Sequence, residues 1–141
     1  MAALTQDRTH NARWTGRMII GKAAANAVIY AGALGARNAS GFTIPAANAA
    51  DVKVVGVAQG PVNNTGGANG AKPVQLLTGV FKFKNDTTAP VTAANLHGRC
   101  YVQDDQTVRA TPGSPGVIAG IVEQIDSDGV WVYVAPENGV A

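Results

Sequence analysis

The sequence predicts an all-β fold, namely a two-sheet antiparallel β-sandwich or jelly roll with at most one short helix and an extended N-terminal arm. Short runs rich in Val, Ile, Phe and Tyr alternate with Gly, Asn, Asp and Pro along most of the 141 residues. Several runs are apolar on both faces, and one open sheet would leave one of those faces uncovered. The longest apolar run, residues 23–36, is interrupted by Asn26 and is too short to span a membrane as a helix.

The chain is predicted to consist of an arm, one β domain and a tail. Residues 1–13 are mostly polar and show no hydrophobic period, so they are interpreted as an extended arm. Residues 14–135 hold the strand-like runs and form a single β domain. Residues 136–141 form a loose tail.

Strands are predicted from the apolar runs and from the turn residues between them. In GVFKFKN the period of two places Phe81 and Phe83 on one face and Lys82 and Lys84 on the other, so one face is core and one is solvated. The predicted strands are Met18–Ala23, Val28–Ala36, Phe42–Pro45, Val52–Val62, Pro73–Lys84, Arg99–Gln103, Thr107–Thr111, Val117–Asp126 and Val130–Ala135.

The segment PVTAANLHG is the best candidate for a helix of one or two turns. Thr92 is suited to cap the first turn, and Gly98 is suited to the left-handed conformation that ends it.

The strand GVWVYV places valines on one face and Trp131 and Tyr133 together on the other. A strand that is apolar on both faces is either central in a packed sandwich or presents one face to a partner. The core interpretation is favoured, and Trp131 and Tyr133 are also the first candidates for contact between two copies of the chain.

Composition favours contact with protein over contact with nucleic acid or membrane. Charged residues make up 14% of the chain, against about 25% in an average protein. The 11 Lys and Arg against 9 Asp and Glu give a net charge of +2, without the clustered basic stripe of a nucleic-acid binder. One cysteine allows no internal disulfide, and the N-terminus lacks the order of a signal peptide, so synthesis in the cytoplasm is expected.

The adjacent acids in CYVQDDQTV raise the possibility of an active site. Neighbours on a strand point to opposite faces, and strand-forming residues stop at Gln103 and resume at Thr107, so DDQ is interpreted as a hairpin turn. An enzyme is still one rival hypothesis, with Asp104, Asp105 and Glu123 as the acids to test for hydrolase chemistry. The prediction is that the chain is not an enzyme.

Other motifs favour structure over chemistry. IDSDGV is interpreted as a hairpin in which Gly129 adopts positive φ, because its glycine comes too early for a calcium loop. NNTGGANGAK is interpreted as an exposed loop, since Ala71 and Pro73 flank the lysine where a phosphate-binding loop needs other residues. Cys100 is expected to be a buried structural thiol. No catalytic residue, metal ligand or cofactor is predicted.

The order of four blocks in the chain resembles the capsid cement, or head decoration, proteins of tailed bacteriophages. These blocks are NNTGGANGA, TGVFKFKN, HGRCYVQDDQTVRAT after a short helix, and AGIVEQIDSDGVWVYV, and the resemblance covers roughly residues 28 to 135. It implies a structural virion protein, made in the bacterial host cytoplasm, that binds the outer surface of the head and bridges subunits of the major capsid protein.

Contact residues are assigned under this hypothesis. Arg8, Arg13 and Trp14 are candidates for contact with the capsid, because the arm is expected to become ordered there. Self-association is also expected, with a homodimer favoured over a trimer. The alternative is a carbohydrate- or ligand-binding β-sandwich module that presents Trp14, Trp131 and Tyr133 to a sugar.

Overall fold

Eleven strands and two short 3₁₀ helices make up the described part of the chain. The computed structural model describes residues 2–9 and 12–139, and in residues 12–15 the backbone alone. The all-β prediction is confirmed. The strands are β1 (Ala12–Lys22), β2 (Val28–Ile29), β3 (Leu34–Arg37), β4 (Thr43–Pro45), β5 (Lys53–Ala58), β6 (Val62–Asn63), β7 (Pro73–Asn85), β8 (Arg99–Asp104), β9 (Thr107–Arg109), β10 (Ile118–Asp126) and β11 (Gly129–Val134), and the 3₁₀ helices are Ala93–Asn95 and Pro136–Gly139.

The 13-residue strand β7 organises a nine-stranded sheet. Strands β1, β5 and β11 pair with it antiparallel, and β9 pairs with it in parallel. Strand β9 continues through β8 and β10 to β11, which returns to β7 and so closes a five-stranded ring. Strands β5, β3 and β4 extend the sheet on the other side, and β2 pairs with β6 in a separate ribbon. The result is a sandwich-like or barrel-like arrangement.

The core lies inside this curved sheet. Phe81 and Phe83 are buried in it, whereas Lys82 is half-buried and Lys84 is exposed, so the predicted alternation in GVFKFKN is confirmed. A second, smaller apolar cluster forms around Ile29 and Leu76, at the end of the sheet where β2 and β6 lie. Buried apolar side chains of this size each stabilise the folded state by about 1.5–3 kcal/mol.

Two predicted strands are each divided in the structure. The run Val28–Ala36 breaks because Gly32 adopts φ +84°, so β2 ends before it and β3 begins after it. The run Val52–Val62 separates into β5 and β6 around Gln59–Pro61. β1 begins at Ala12, and it thereby includes two residues that the sequence pattern placed in the arm.

Two glycines have roles other than those predicted. His97, not Gly98, takes the left-handed conformation after the first 3₁₀ helix, with φ 64°. The hairpin at IDSDGV is confirmed, because Asp126 pairs with Gly129. Gly129 does not adopt positive φ there; it is needed because a Cβ would lie 2.7 Å from the carbonyl oxygen of Phe83 on β7.

Candidate functional site

The DDQ motif forms the tip of the β8–β9 hairpin, as predicted. Asp104 pairs with Thr107 across the turn, and Asp104 Oδ1 accepts the backbone N–H of Gln106 at 3.0 Å. This is the local hydrogen bond that makes aspartate favourable in turns. The motif is therefore a structural turn.

Asp105 nevertheless differs from an ordinary polar residue at a turn, because only 3% of its surface is exposed. Its Oδ1 accepts the backbone N–H of Leu4 at 2.9 Å. Burial raises the pKa of this carboxyl, and the negative charge of Asp104 raises it further, while the Leu4 hydrogen bond and the Arg8 charge oppose the rise. The acid that the sequence places on a polar turn lies beneath the N-terminal segment.

Residues 2–9, called the docked arm below, lie over this hairpin tip without forming a helix or strand. Gln106 Nε2 donates to the carbonyl oxygen of Ala2 at 2.7 Å. The backbone N–H of Arg8 donates to Ala31 O at 3.0 Å, and Asp7 Oδ1 accepts the Ala31 N–H at 3.0 Å. These contacts fix the docked arm at both ends of its length.

Arg8 is the one predicted capsid-contact residue whose side chain the structure describes, and it faces its own domain. Its Nη2 donates to the carbonyl oxygen of Lys82 at 3.2 Å, and its guanidinium carbon lies 5.5 Å from the centre of the Phe83 ring. Burial lowers the pKa of this guanidinium, although the Asp105 charge opposes the shift. Arg8 would have to leave these contacts before it could reach another protein.

Three buried polar atoms, in the arm and at the tip of the β8–β9 hairpin, lack a hydrogen-bond partner among the described residues. Among the described residues, Arg8 Nη1, Asp104 Oδ2 and Thr107 Oγ1 are buried without a hydrogen bond. Each such atom costs about 1–3 kcal/mol relative to a solvated one. Of the three, Arg8 Nη1 lies on the arm, so its desolvation opposes docking.

Two hollows border the docked arm. One, of about 480 Å³, is lined by residues 3–9 together with Lys84 and Gln106. The other, of about 410 Å³, lies between residues 5–7 and the β2–β6 ribbon. The arm runs between these two hollows, and its Leu4 packs against the smaller apolar cluster around Ile29 and Leu76.

The remaining predicted contact residues are on β1 and β11. Arg13 and Trp14 belong to β1, where Trp14 pairs with Val80, but their side chains lie outside the described part of the structure. Trp131 and Tyr133 are half-buried on the outer face of β11, opposite the buried valines of the same strand.

The polar atoms of this aromatic face have partners within the chain. Trp131 Nε1 donates to Asp126 Oδ2 at 2.8 Å, and Lys82 Nζ lies 5.7 Å from the centre of the Trp131 ring. Tyr133 Oη donates to Glu137 Oε2 at 3.4 Å, and Glu137 also pairs with Arg17. The arrangement resembles a closed surface network more than an open platform for a sugar.

The acids considered for hydrolase chemistry do not converge. Arg99, at the start of β8, pairs with Ile121 of β10, and the exposed Glu123 lies beyond that pair. Asp104 lies at the opposite end of β8, roughly 20 Å away along the strand direction. Within residues 2–9 and 12–139, no three His, Cys, Asp or Glu side chains are grouped as a metal site would require.

Cys100 is fully buried in the main core, and burial raises the pKa of its thiol to about 12. The prediction of a buried thiol is confirmed. In the described portion of the chain, no helix is long and apolar enough to cross a membrane.

Comparison with protein-family models, with curated proteins and with solved structures finds no match to this chain.

Proposed function

We propose that this chain is a capsid cement, or decoration, protein that binds the outer surface of a tailed-bacteriophage head and bridges neighbouring subunits of the major capsid protein. The observation that carries the proposal is the docked arm, a segment without secondary structure that lies on the surface of the β domain. Such a segment is able to leave its own domain and bind a neighbour without loss of the fold.

The burial of charged groups on docking favours release of the arm when another protein offers these groups a stronger binding site. In the free protein the arm buries Arg8 and Asp105 and leaves Arg8 Nη1 without a partner among the described residues. A capsid carboxylate would form a bidentate ion pair with the Arg8 guanidinium, in place of the single hydrogen bond to the Lys82 carbonyl oxygen. On the capsid, this ion pair would offset the desolvation cost of the Arg8 guanidinium.

The composition of the chain fits a protein that lies against other proteins. A charged fraction of 14% leaves a largely neutral surface, and neutral surface is less costly to desolvate at an interface than charged surface. The domain itself supplies a rigid body, because β7 links the strands on both of its sides.

Binding to heads tests the proposal directly. The full chain is mixed with expanded heads assembled from the major capsid protein encoded in the same phage genome, and bound protein is measured by co-sedimentation and cryo-electron microscopy. We expect an ordered outer layer. No bound layer at micromolar protein would overturn the proposed function.

A deletion of residues 2–9 tests the role of the arm separately. This deletion stops before Ala12, where β1 begins, so the sheet is retained. Affinity for heads is expected to fall about tenfold or more, which corresponds to roughly 1.4 kcal/mol. Arg8→Ala should weaken binding more at low salt than at high salt, whereas Arg37→Ala, at an exposed arginine on β3, serves as the matched control. Equal occupancy with and without residues 2–9 would rule out the clamping role of the arm.

A further inference from the structure

Strands β8, β9 and β10 share an outer face that carries two arginines. Cys100 of β8 is buried in the main core, so alternation places Arg99 and Tyr101 on the opposite, outer face. Arg109 of β9 lies directly opposite Tyr101 in the β8–β9 pair. Arg99 and Arg109 are therefore diagonal neighbours on one face, with their Cα atoms about 7–8 Å apart.

The guanidinium of Arg109 is held in place by neutral groups. Its Nη1 donates to Gln103 Oε1 at 3.1 Å, and its Nη2 donates to Thr111 Oγ1 at 3.3 Å in an exposed contact. A Cβ at Gly113 would lie 3.3 Å from Nη1, so the loop after β9 packs against the guanidinium. Each terminal nitrogen carries two hydrogens and donates one here, which leaves one N–H on each. Arg109 is thereby positioned for a carboxylate, which accepts two such bonds.

The acids of these three strands leave both arginines unpaired. Asp104 has one oxygen bonded within the hairpin turn and the other buried, and Asp126 pairs with a lysine of β7. Glu123 is exposed and takes no part in the ion pairs that the structure describes. Within residues 2–9 and 12–139, neither Arg99 nor Arg109 has an acidic partner, so both charges are open to one from another molecule.

Half-buried apolar side chains lie beside the two arginines. In the β8–β10 pair, Ile118 lies opposite Tyr101, and Ile121 lies opposite Arg99. Tyr101, Ile118 and Ile121 are each half-buried, so part of each side chain is available for contact. Tyrosine and arginine are among the residue types enriched at the centres of protein interfaces. The face thus combines apolar contact surface with two unpaired cations.

We infer that this face, called the arginine face below and formed by Arg99, Tyr101, Arg109, Ile118 and Ile121, binds an extended acidic segment of another protein. In an extended segment, side chains two positions apart point to the same side and lie about 6.6–6.8 Å apart. This spacing is close to that of the two arginines, so two alternate carboxylates can each meet one guanidinium. The inference does not depend on the proposed capsid function.

A nuclear magnetic resonance titration of the full chain tests this inference. The probe is a short blocked threonine peptide with glutamates at two alternate positions. We expect saturable shifts of the Arg99 and Arg109 Nε–H and Tyr101 amide resonances, with a Kd at or below about 1 mM at low salt. The same peptide with glutamine in place of both glutamates should not bind. A peptide with two adjacent glutamates should bind about threefold or more weakly, because neighbours on an extended segment point to opposite sides.

Substitutions assign the binding to the two arginines. Arg109→Gln should raise the Kd about tenfold or more, because it removes a charged, bidentate donor. Arg99→Gln should raise it about twofold to fivefold, because exposed ion pairs are weaker. Arg37→Gln is the matched control, since Arg37 is an exposed arginine on β3, and its Kd should equal that of wild type. Circular dichroism and thermal unfolding should show that all three variants retain the fold.

Several outcomes would overturn the inference. One is the absence of saturable shifts at about 5 mM peptide, where a site with a Kd of about 1 mM would be mostly occupied. Equal binding of the glutamine peptide, or of the peptide with adjacent glutamates, would reject recognition of alternate carboxylates. An unchanged Kd in both Arg99→Gln and Arg109→Gln would reject the arginine face. Shifts confined to the docked arm would assign the acidic segment to Arg8 instead.

Discussion

The backbone amide of Leu4 donates a hydrogen bond to Oδ1 of Asp105 across 2.9 Å, although the two residues are 101 positions apart in the chain. This bond joins the docked arm to the β8–β9 hairpin and helps to explain why a turn residue is buried. It also makes the arm sensitive to the charge of the Asp105 carboxyl, whose pKa the Asp104 charge raises and the Arg8 charge lowers.

Docking of the arm is predicted to strengthen as the pH falls. The pKa of Asp105 is raised in the docked state, mainly by burial, so the docked state takes up a proton more readily than a released state does. Above the pKa of the docked state, the buried Asp105 carboxyl is charged and its full desolvation penalty opposes docking. The penalty is relieved as the pH falls through that pKa and the carboxyl takes up a proton. The amide resonance of Leu4 should follow this titration, with a midpoint above the ordinary value of about 3.9.

Asp105→Asn should abolish this titration while the amide oxygen of the new side chain still accepts the Leu4 N–H. Asp51→Asn, at an exposed acid, should leave the Leu4 titration unchanged. A Leu4 midpoint at or below about 3.9 in wild type would contradict the pH dependence.

Gly32→Ala is predicted to detach the arm from the domain. A Cβ at Gly32 would overlap Arg8 Cγ and would lie 2.9 Å from the Arg8 carbonyl oxygen, in a backbone with φ +84°. Gly41→Ala is the matched control, because φ there is +88° and nothing lies within 4 Å of the added methyl group. Both variants incur the left-handed penalty of about 1–2 kcal/mol, and Gly32→Ala should in addition lose protection of the Arg8 amide from hydrogen exchange. Equal protection of that amide in the two variants would show that the close contact does not hold the arm.

Local pattern was enough to predict the buried face of β7 and the position of the β8–β9 hairpin. The alternation in GVFKFKN identifies its buried phenylalanines, and the Asp-rich turn before Thr107 places the β8–β9 hairpin. Both depend on interactions within a few residues, such as the bond from Gln106 N–H to Asp104 Oδ1. Such interactions are encoded in a short window of sequence.

Burial of Asp105 and closure of the five-stranded ring could not be predicted in the same way. The first requires the arm to cross a hairpin far along the chain, and the second requires β9 to pair in parallel with β7. The break at Gly32 also has a non-local component, since the residue that crowds this glycine is Arg8. Contacts between distant segments leave no periodic signal in the sequence.

Trp131→Phe is predicted to change the acid stability of the protein. The hydrogen bond from Trp131 is the largest cause of the lowered pKa of Asp126. A group with a lowered folded pKa contributes stability above its unfolded value, and this contribution is lost as the pH falls through the folded value. The variant should raise the Asp126 pKa, lower Tm at pH 7 and lose less stability on acidification.

The carboxyl carbon resonance of Asp126 measures this effect. Tyr133→Phe, on the same face of β11, should leave the Asp126 titration unchanged because its hydroxyl bonds to Glu137 instead. Loss of self-association in Trp131→Ala with retention of the fold would assign the self-contact to the aromatic face of Trp131 and Tyr133.

Cys100 is predicted to be unreactive in the folded protein and to report opening of the five-stranded ring. Its thiol has a pKa of about 12 and lies on β8 opposite Gly120 of β10. The thiol is therefore protonated at pH 8, and only the thiolate reacts with disulfide reagents. We expect no labelling of Cys100 in native protein and complete labelling in concentrated guanidinium chloride.

Deletion of residues 2–9 should leave labelling of Cys100 slow. Gly120→Ala should accelerate it, because a Cβ at this position would lie 2.7 Å from Val132 Cγ1 and would overlap the Tyr133 carbonyl oxygen. If the deletion accelerated labelling as much as Gly120→Ala does, the arm would be part of the cooperative core, and its release would require the ring to open.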